Sequence, residues 1–115
     1  MTQKRFQFDV ERLDVFRASL EFVRYVSRLK RVAIQGDRRQ QLLRAADSIA
    51  LNIAEGVGRG PGKARRNFHR IAFGSASECV AILMILEARG DEVAEGREIL
   101  SKIGAMLCRL IAGHD

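Results

Sequence analysis

Residues 48–79 read SIALNIAEGVGRGPGKARRNFHRIAFGSASEC, and this stretch decides the fold. Ile49 and Ile53 stand one helical turn apart, and the pattern closes at Glu55. Gly56, Gly58, Gly60 and Gly62 then crowd around Pro61, the composition of a tight corner. Beyond it Phe68, Ala72, Ser75, Cys79, Ile82 and Leu86 alternate steps of four and three, a heptad seam suited to knobs-into-holes packing. The stretch therefore describes two antiparallel helices joined by a glycine-rich corner. Gly56 is expected to end the first helix in the left-handed conformation. Pro61 is expected in the first turn of the second, where its missing N–H costs nothing.

The same periodicity extends both ways. A first helix is predicted over residues 9–30, with Leu13, Phe16, Leu20 and Val23 as one stripe and Phe22, Val26 and Leu29 beside it. Gly36 interrupts. A second helix is predicted over 38–55, its stripe Leu42, Ala46, Ile49 and Ile53, with Asp37 as N-cap and Gln40 as its capping-box partner. The third covers 62–89 and ends at Gly90. The fourth covers 91–112, with Ala94 as an alternative start, and carries Ile99, Ile103, Met106 and Leu110, flanked by Leu100, Leu107 and Ile111. Four amphipathic helices with short connections specify an all-α protein, an antiparallel up-down-up-down four-helix bundle filling residues 1–115 as one domain. A chain of 115 residues buries enough surface for one core without disulfides or metals.

One segment conflicts with a lone bundle. Residues 79–86, CVAILMIL, are apolar on every side of their helix. A helix apolar all round has to be covered all round. The cover expected is a second copy of the chain, with Val80, Leu83, Met84 and Ile85 at the subunit interface. The longest apolar run, 71–86, is interrupted by Glu78 and is too short to span a bilayer. The N-terminal MTQKRFQFDVERL has no apolar signal core. A cytoplasmic protein without a membrane role is the expectation. Cys79 and Cys108 are far apart in sequence, on apolar stripes, and are expected to be reduced core residues.

Charge is unevenly distributed. The chain carries 20 basic and 14 acidic side chains; residues 1–70 hold 16 and 7 of them, residues 71–115 only 4 and 7. Between Gly56 and Phe73 there are five cations, Arg59, Lys63, Arg65, Arg66 and Arg70, and no carboxylate. A second basic cluster, Arg28, Lys30, Arg31, Arg38 and Arg39, flanks the first helix junction. Such asymmetry points to a polyanion partner, RNA or DNA, contacted through phosphates without sequence readout. Tyr25 is the single tyrosine and most of the six phenylalanines occupy core positions, which argues against base stacking.

The central hairpin resembles the four-helix-bundle family of ribosomal RNA intervening-sequence proteins. The matching residues are Arg44-Ala45, Ser48-Ile49, Asn52-Ile53-Ala54-Glu55-Gly56, Arg70-Ile71-Ala72 and Gly74-Ser75-Ala76 with Glu78. The chain departs from the usual corner, placing Gly60-Pro61-Gly62 where a serine often precedes the third helix. The resemblance implies a left-handed antiparallel bundle and often a homopentamer. Through a relative of the family, the accessory variability determinant of diversity-generating retroelements, it implies binding to nucleic acid and to a nucleic-acid-processing protein, a reverse transcriptase.

No reaction centre is evident. The corner fails as a nucleotide-binding loop, because Val57 and Ala64 stand where that motif needs a glycine and a Ser/Thr. No Glu-x-x-His metal pair exists, and no metal or cofactor is expected. Arg109 and His114 match the Arg-x4-His pattern of small helical ribonucleases, a chance match in a chain so rich in arginine. A non-enzymatic nucleic-acid-binding oligomer is the expected function, with a purely structural or protein-binding scaffold as the first alternative and a small helical ribonuclease using Arg109 and His114 as the second. Asn52, Glu55, Arg70, Arg44 and Glu78 are expected to form a polar lock between the central helices. If the two helices fold back about the corner, positions adding to about 118 lie opposite, which sets Asn52 against Arg66.

Overall fold

A computed structural model describes residues 5–29 and 36–113. A short 3-10 turn, Asp9–Arg12, leads into α1 (Asp14–Arg28), followed by α2 (Gly36–Gly58), α3 (Lys63–Ala88) and α4 (Ala94–Ala112). Each helix packs on its neighbours in sequence, and α4 closes back on α1. Among the described residues the diagonal pairs α1–α3 and α2–α4 do not meet, which is the square arrangement of an antiparallel four-helix bundle.

The core follows the sequence periodicity with one exchange of roles. Leu42, Ala46, Ile49 and Ile53 of α2 are all buried, as are Ala72, Cys79, Ile82 and Leu86 of α3 and Ile99, Leu100, Ile103 and Leu107 of α4. In α1 the buried residues are Val15, Ala18, Ser19, Phe22, Tyr25 and Val26, while Leu13, Phe16 and Val23 only flank the core. The stripe treated as secondary in the sequence is the one that faces inward. The two stripes are adjacent on one helix, and contact with α2 and α4 buries the Phe22–Val26 side; Leu13, with an extended backbone (φ −84°, ψ 121°), separates the 3-10 turn from α1.

Helix ends differ from expectation where glycines were asked to stop them. The expected Asp37 capping bond lies outside the described side chains, and α2 begins at Gly36, one residue before the expected N-cap position. It continues two residues beyond Gly56, and the left-handed residue is Gly60 (φ 81°). Gly56 is instead where α2 and α3 touch. A Cβ there would stand 3.0 Å from the Arg65 carbonyl oxygen and 3.1 Å from Phe68 Cβ. Pro61 precedes the Gly62 N-cap and lies outside α3. At the far end of α3 the expectation holds: Asp91 N–H donates to Leu86 O and Gly90 N–H to Glu87 O, with Gly90 at φ 99°, a Schellman closure.

α3 has 26 residues and an 18-residue window of mean hydropathy 1.7, so by length and composition it is long and apolar enough to cross a membrane. The helix containing the 71–86 run is thus longer than that run. It lies between α2 and α4 with its seam in the core, the situation of a central bundle helix.

Candidate nucleic-acid interface

The bundle has two ends, and both are basic in sequence. The first holds the close of α2, the start of α3 and the N-terminal segment. The second holds the close of α1, the starts of α2 and α4, and the Gly90 turn.

At the first end α3 starts on Gly62 without a side-chain cap and with no acidic residue in its first turn. Lys63, Arg65 and Arg66 stand there, at the positive end of a helix of 26 residues. Cations belong at the other end of a helix; each one here is disfavoured by about 0.3–1 kcal/mol. Arg65 compensates internally. Its Nη2 donates to Val57 O at 3.0 Å and its Nε to Gly56 O at 3.4 Å, tying down carbonyls at the close of α2. Arg59 is half-exposed, bonds Glu55 at 3.0 Å and lies over the Phe68 ring at 5.2 Å. Lys63, Arg66 and Arg70 have no carboxylate within ion-pair distance among the described residues, and Lys63 and Arg70 are exposed.

At the second end each described arginine of the cluster has a partner within the chain. Arg39 Nη1 donates to Leu29 O at 2.9 Å and to Val26 O at 3.4 Å, closing α1 as Arg65 closes α2. Arg28 pairs with Glu95 at 3.2 Å, and Arg38 bonds Gln41 at 2.9 Å. Lys30 and Arg31, which belong to the same cluster in sequence, lie outside the described residues, as does His114. Sequence reasoning misses the capping arginines because a charge count does not reveal which guanidinium has carbonyls within reach.

The polar lock is assembled differently from expectation. Asn52 does not meet Arg66. Its Nδ2 donates one turn back, to Ser48 O at 2.9 Å and Ser48 Oγ at 3.1 Å, and the Ser48 hydroxyl meets that of Ser75 at 2.8 Å. Ser48 opposite Ser75 and Gly56 opposite Phe68 put the register near 123–124. The shift arises because α2 runs past Gly56 and moves the corner outward. Glu78 accepts from Gln41 Nε2 at 3.0 Å rather than pairing with Arg44, and Glu55 is engaged by Arg59. Gln41, Arg44, Ala45, Ser48, Ser75 and Glu78 line an open groove of about 610 Å³ along the α2–α3 seam.

The residues assigned to a subunit contact separate. Leu83 is fully buried in the chain's own core, against α4, and is removed from that face; a Cβ on Gly96 would stand 2.9 Å from its Cδ1. Val80 is half-buried, whereas Met84 and Ile85 are exposed, together with Ile71 and Phe73 on the same helix and Leu51 on α2.

Burial perturbs two side chains of the core, Cys79 and Tyr25. Burial, then the Glu78 charge, pushes the Cys79 thiol up from the usual 9.0 to about 12. Burial, then Glu95, raises the Tyr25 hydroxyl. Cys108, expected in the core, is exposed. Among the described residues no group of three His, Cys, Asp or Glu side chains could hold a metal ion.

The aromatic residues also part from expectation. Phe22 is buried, but Phe6 and Phe8 stand in solvent, 78% and 64% exposed, with ring centroids 5.1 Å apart at 83°. They border the close of α2 at the first end.

A family model for the 23S rRNA-intervening sequence protein matches residues 11–109. The chain belongs to this family. The match covers all four helices except the last residues of α4, and it agrees with the observed all-α bundle. The name of the 23S rRNA-intervening sequence protein family ties it to segments found within ribosomal RNA, which accords with an RNA-related role. No curated protein matches the chain.

Proposed function

We propose that this member of the 23S rRNA-intervening sequence protein family is a non-enzymatic, cytoplasmic homo-oligomer that binds RNA or DNA through phosphate contacts at the α2–α3 corner. The observation that carries this reading is Lys63 and Arg66 in the first turn of α3, set against the helix dipole, with Arg70 two turns in, all three unopposed by a described carboxylate. A sequence that violates a local stability rule without an internal gain points to a functional demand. A phosphate at this position would meet helix N-terminal N–H groups and the first-turn cations at once, with Arg70 placed for a neighbouring phosphate. Phosphate contacts supply affinity without base readout, so the partner class is a polyanion, with a nucleic-acid-processing protein as a further partner. Assembly draws on the exposed apolar residues Ile71, Phe73, Met84 and Ile85 of α3, and a pentamer is the form proposed.

The test is binding of a structured RNA and a DNA duplex at low salt by protein of measured mass. Both should bind. Combined Lys63→Ala, Arg66→Ala and Arg70→Ala should weaken both alike, whatever their sequence. Absence of binding by the unaltered protein at low salt would leave the scaffold reading as the better account.

A further inference from the structure

Phe6 is the most exposed large apolar side chain among the described residues, and Phe8 stands nearly as far out, yet their backbone is not loose. Phe8 N–H donates to Glu11 Oε2 at 2.9 Å, Glu11 N–H returns to Phe8 O at 3.0 Å, and Arg17 Nε holds Glu11 O at 3.2 Å. The 3-10 turn that follows packs on α2. The Phe8 ring is thus held in water with the Phe6 ring at right angles to it, each forgoing about 1.5–3 kcal/mol that burial would supply. With Asp9, Ala54, Val57 and Gly58 they border a cleft of about 360 Å³. Gly58 immediately precedes Arg59, and Lys63 opens the next helix, so the cleft adjoins the cationic corner.

We propose that this cleft takes an unpaired base, so that the corner's polyanion is single-stranded nucleic acid. The inference rests on the phosphate-binding reading above and narrows its ligand. An aromatic pair beside a basic groove is the combination that single strands require: cations follow the backbone and ring faces receive bases, which a duplex keeps stacked inside. The charges around the cleft sort the two parts of a nucleotide. Asp9, paired only loosely with Arg12 at 3.8 Å, disfavours a phosphate there, whereas Lys63, Arg66 and Arg70 favour one at the adjoining helix end. A second copy of the chain seated on the same rings is the competing occupant.

The chain has no tryptophan, so Phe8→Trp installs a single reporter at an exposed position. Titration with an unstructured RNA 12-mer should quench its emission, and a duplex of equal length should not. In parallel, Phe6→Ala with Phe8→Ala should lower affinity for the single strand by on the order of tenfold per stacked base while leaving duplex affinity and light-scattering mass unchanged. Equal quenching by both nucleic acids would overturn the proposal, as would unchanged single-strand affinity in the double variant; either result leaves corner phosphate binding standing. A fall in mass in the double variant would assign the rings to a subunit contact and overturn it too. If neither nucleic acid binds the unaltered protein, the corner reading itself fails and this one with it.

Discussion

The two ends of the bundle carry similar basic clusters and use them differently. At the end holding the α1–α2 junction, every described arginine of the cluster has an internal partner: Arg39 the carbonyls of α1, Arg28 the Glu95 carboxylate, Arg38 the Gln41 amide. At the α2–α3 corner, Arg65 does the same capping work, but Lys63, Arg66 and Arg70 are left without a described carboxylate, and exposed phenylalanines stand nearby. Charge density alone therefore does not mark an interface. What distinguishes one is charged side chains for which the described fold supplies no hydrogen-bond or ion-pair partner.

The largest expected effect is at the closed end. Gly96 lies against the Tyr25 ring, and a methyl group there would overlap the ring and crowd Leu83. Gly96→Ala should destabilise the protein by about 1–3 kcal/mol by overpacking, despite the gain in helix propensity. A denaturant midpoint at or above that of the parent would show that the two elements part easily and that this end is not rigid.

Next come the capping arginines. Arg39→Ala and Arg65→Ala should each cost about 1 kcal/mol, because helix-end carbonyls lose a donor. Arg66→Ala should stay within about 0.5 kcal/mol, as expected for a side chain with no internal role. Equal costs for Arg65 and Arg66 would erase the distinction between structural and presented charge at the corner.

A separate effect is alkaline. Cys79 and Tyr25 both hold their protons to higher pH when folded than when unfolded. The folded state then binds more protons than the unfolded one above about pH 9, so stability should decline as pH rises from there towards 12. Thiol labelling at neutral pH should report one accessible cysteine, Cys108, with Cys79 reacting only in denaturant. Rapid labelling of both would contradict the described core.

The four helices and most of their buried faces are legible in the sequence because periodicity records which side of a helix meets apolar neighbours. Leu42, Ile49, Ile53, Ile82 and Ile103 need nothing more. The inward face of α1 is not legible, because two apolar stripes lie side by side on it and only packing against α2 and α4 decides which is buried. Gly56 misleads as a stop signal because close helix contact and left-handed termination both select glycine; which applies depends on Phe68 and Arg65, across the corner. At the interface the cations can be counted in advance, but their partners cannot. Arg65 and Arg66 are adjacent and chemically identical, and only the backbone carbonyls of Gly56 and Val57 separate their roles. Phe6 and Phe8 escape sequence reasoning because an aromatic residue in an unassigned segment gives no sign of whether the fold will cover it.

The central claim, that the corner presents charge and the opposite end consumes it internally, is tested most directly by the salt dependence of RNA affinity in two variants. One replaces Lys63, Arg66 and Arg70 by alanine, the other Arg28 and Arg38. Removing a cation that neutralises a phosphate should flatten the slope of log affinity against log salt by about 0.7–0.9. The account predicts a slope shallower by roughly 2–3 for the corner variant and unchanged for the other. Equal flattening in both, or flattening only when Arg28 and Arg38 are replaced, would contradict it.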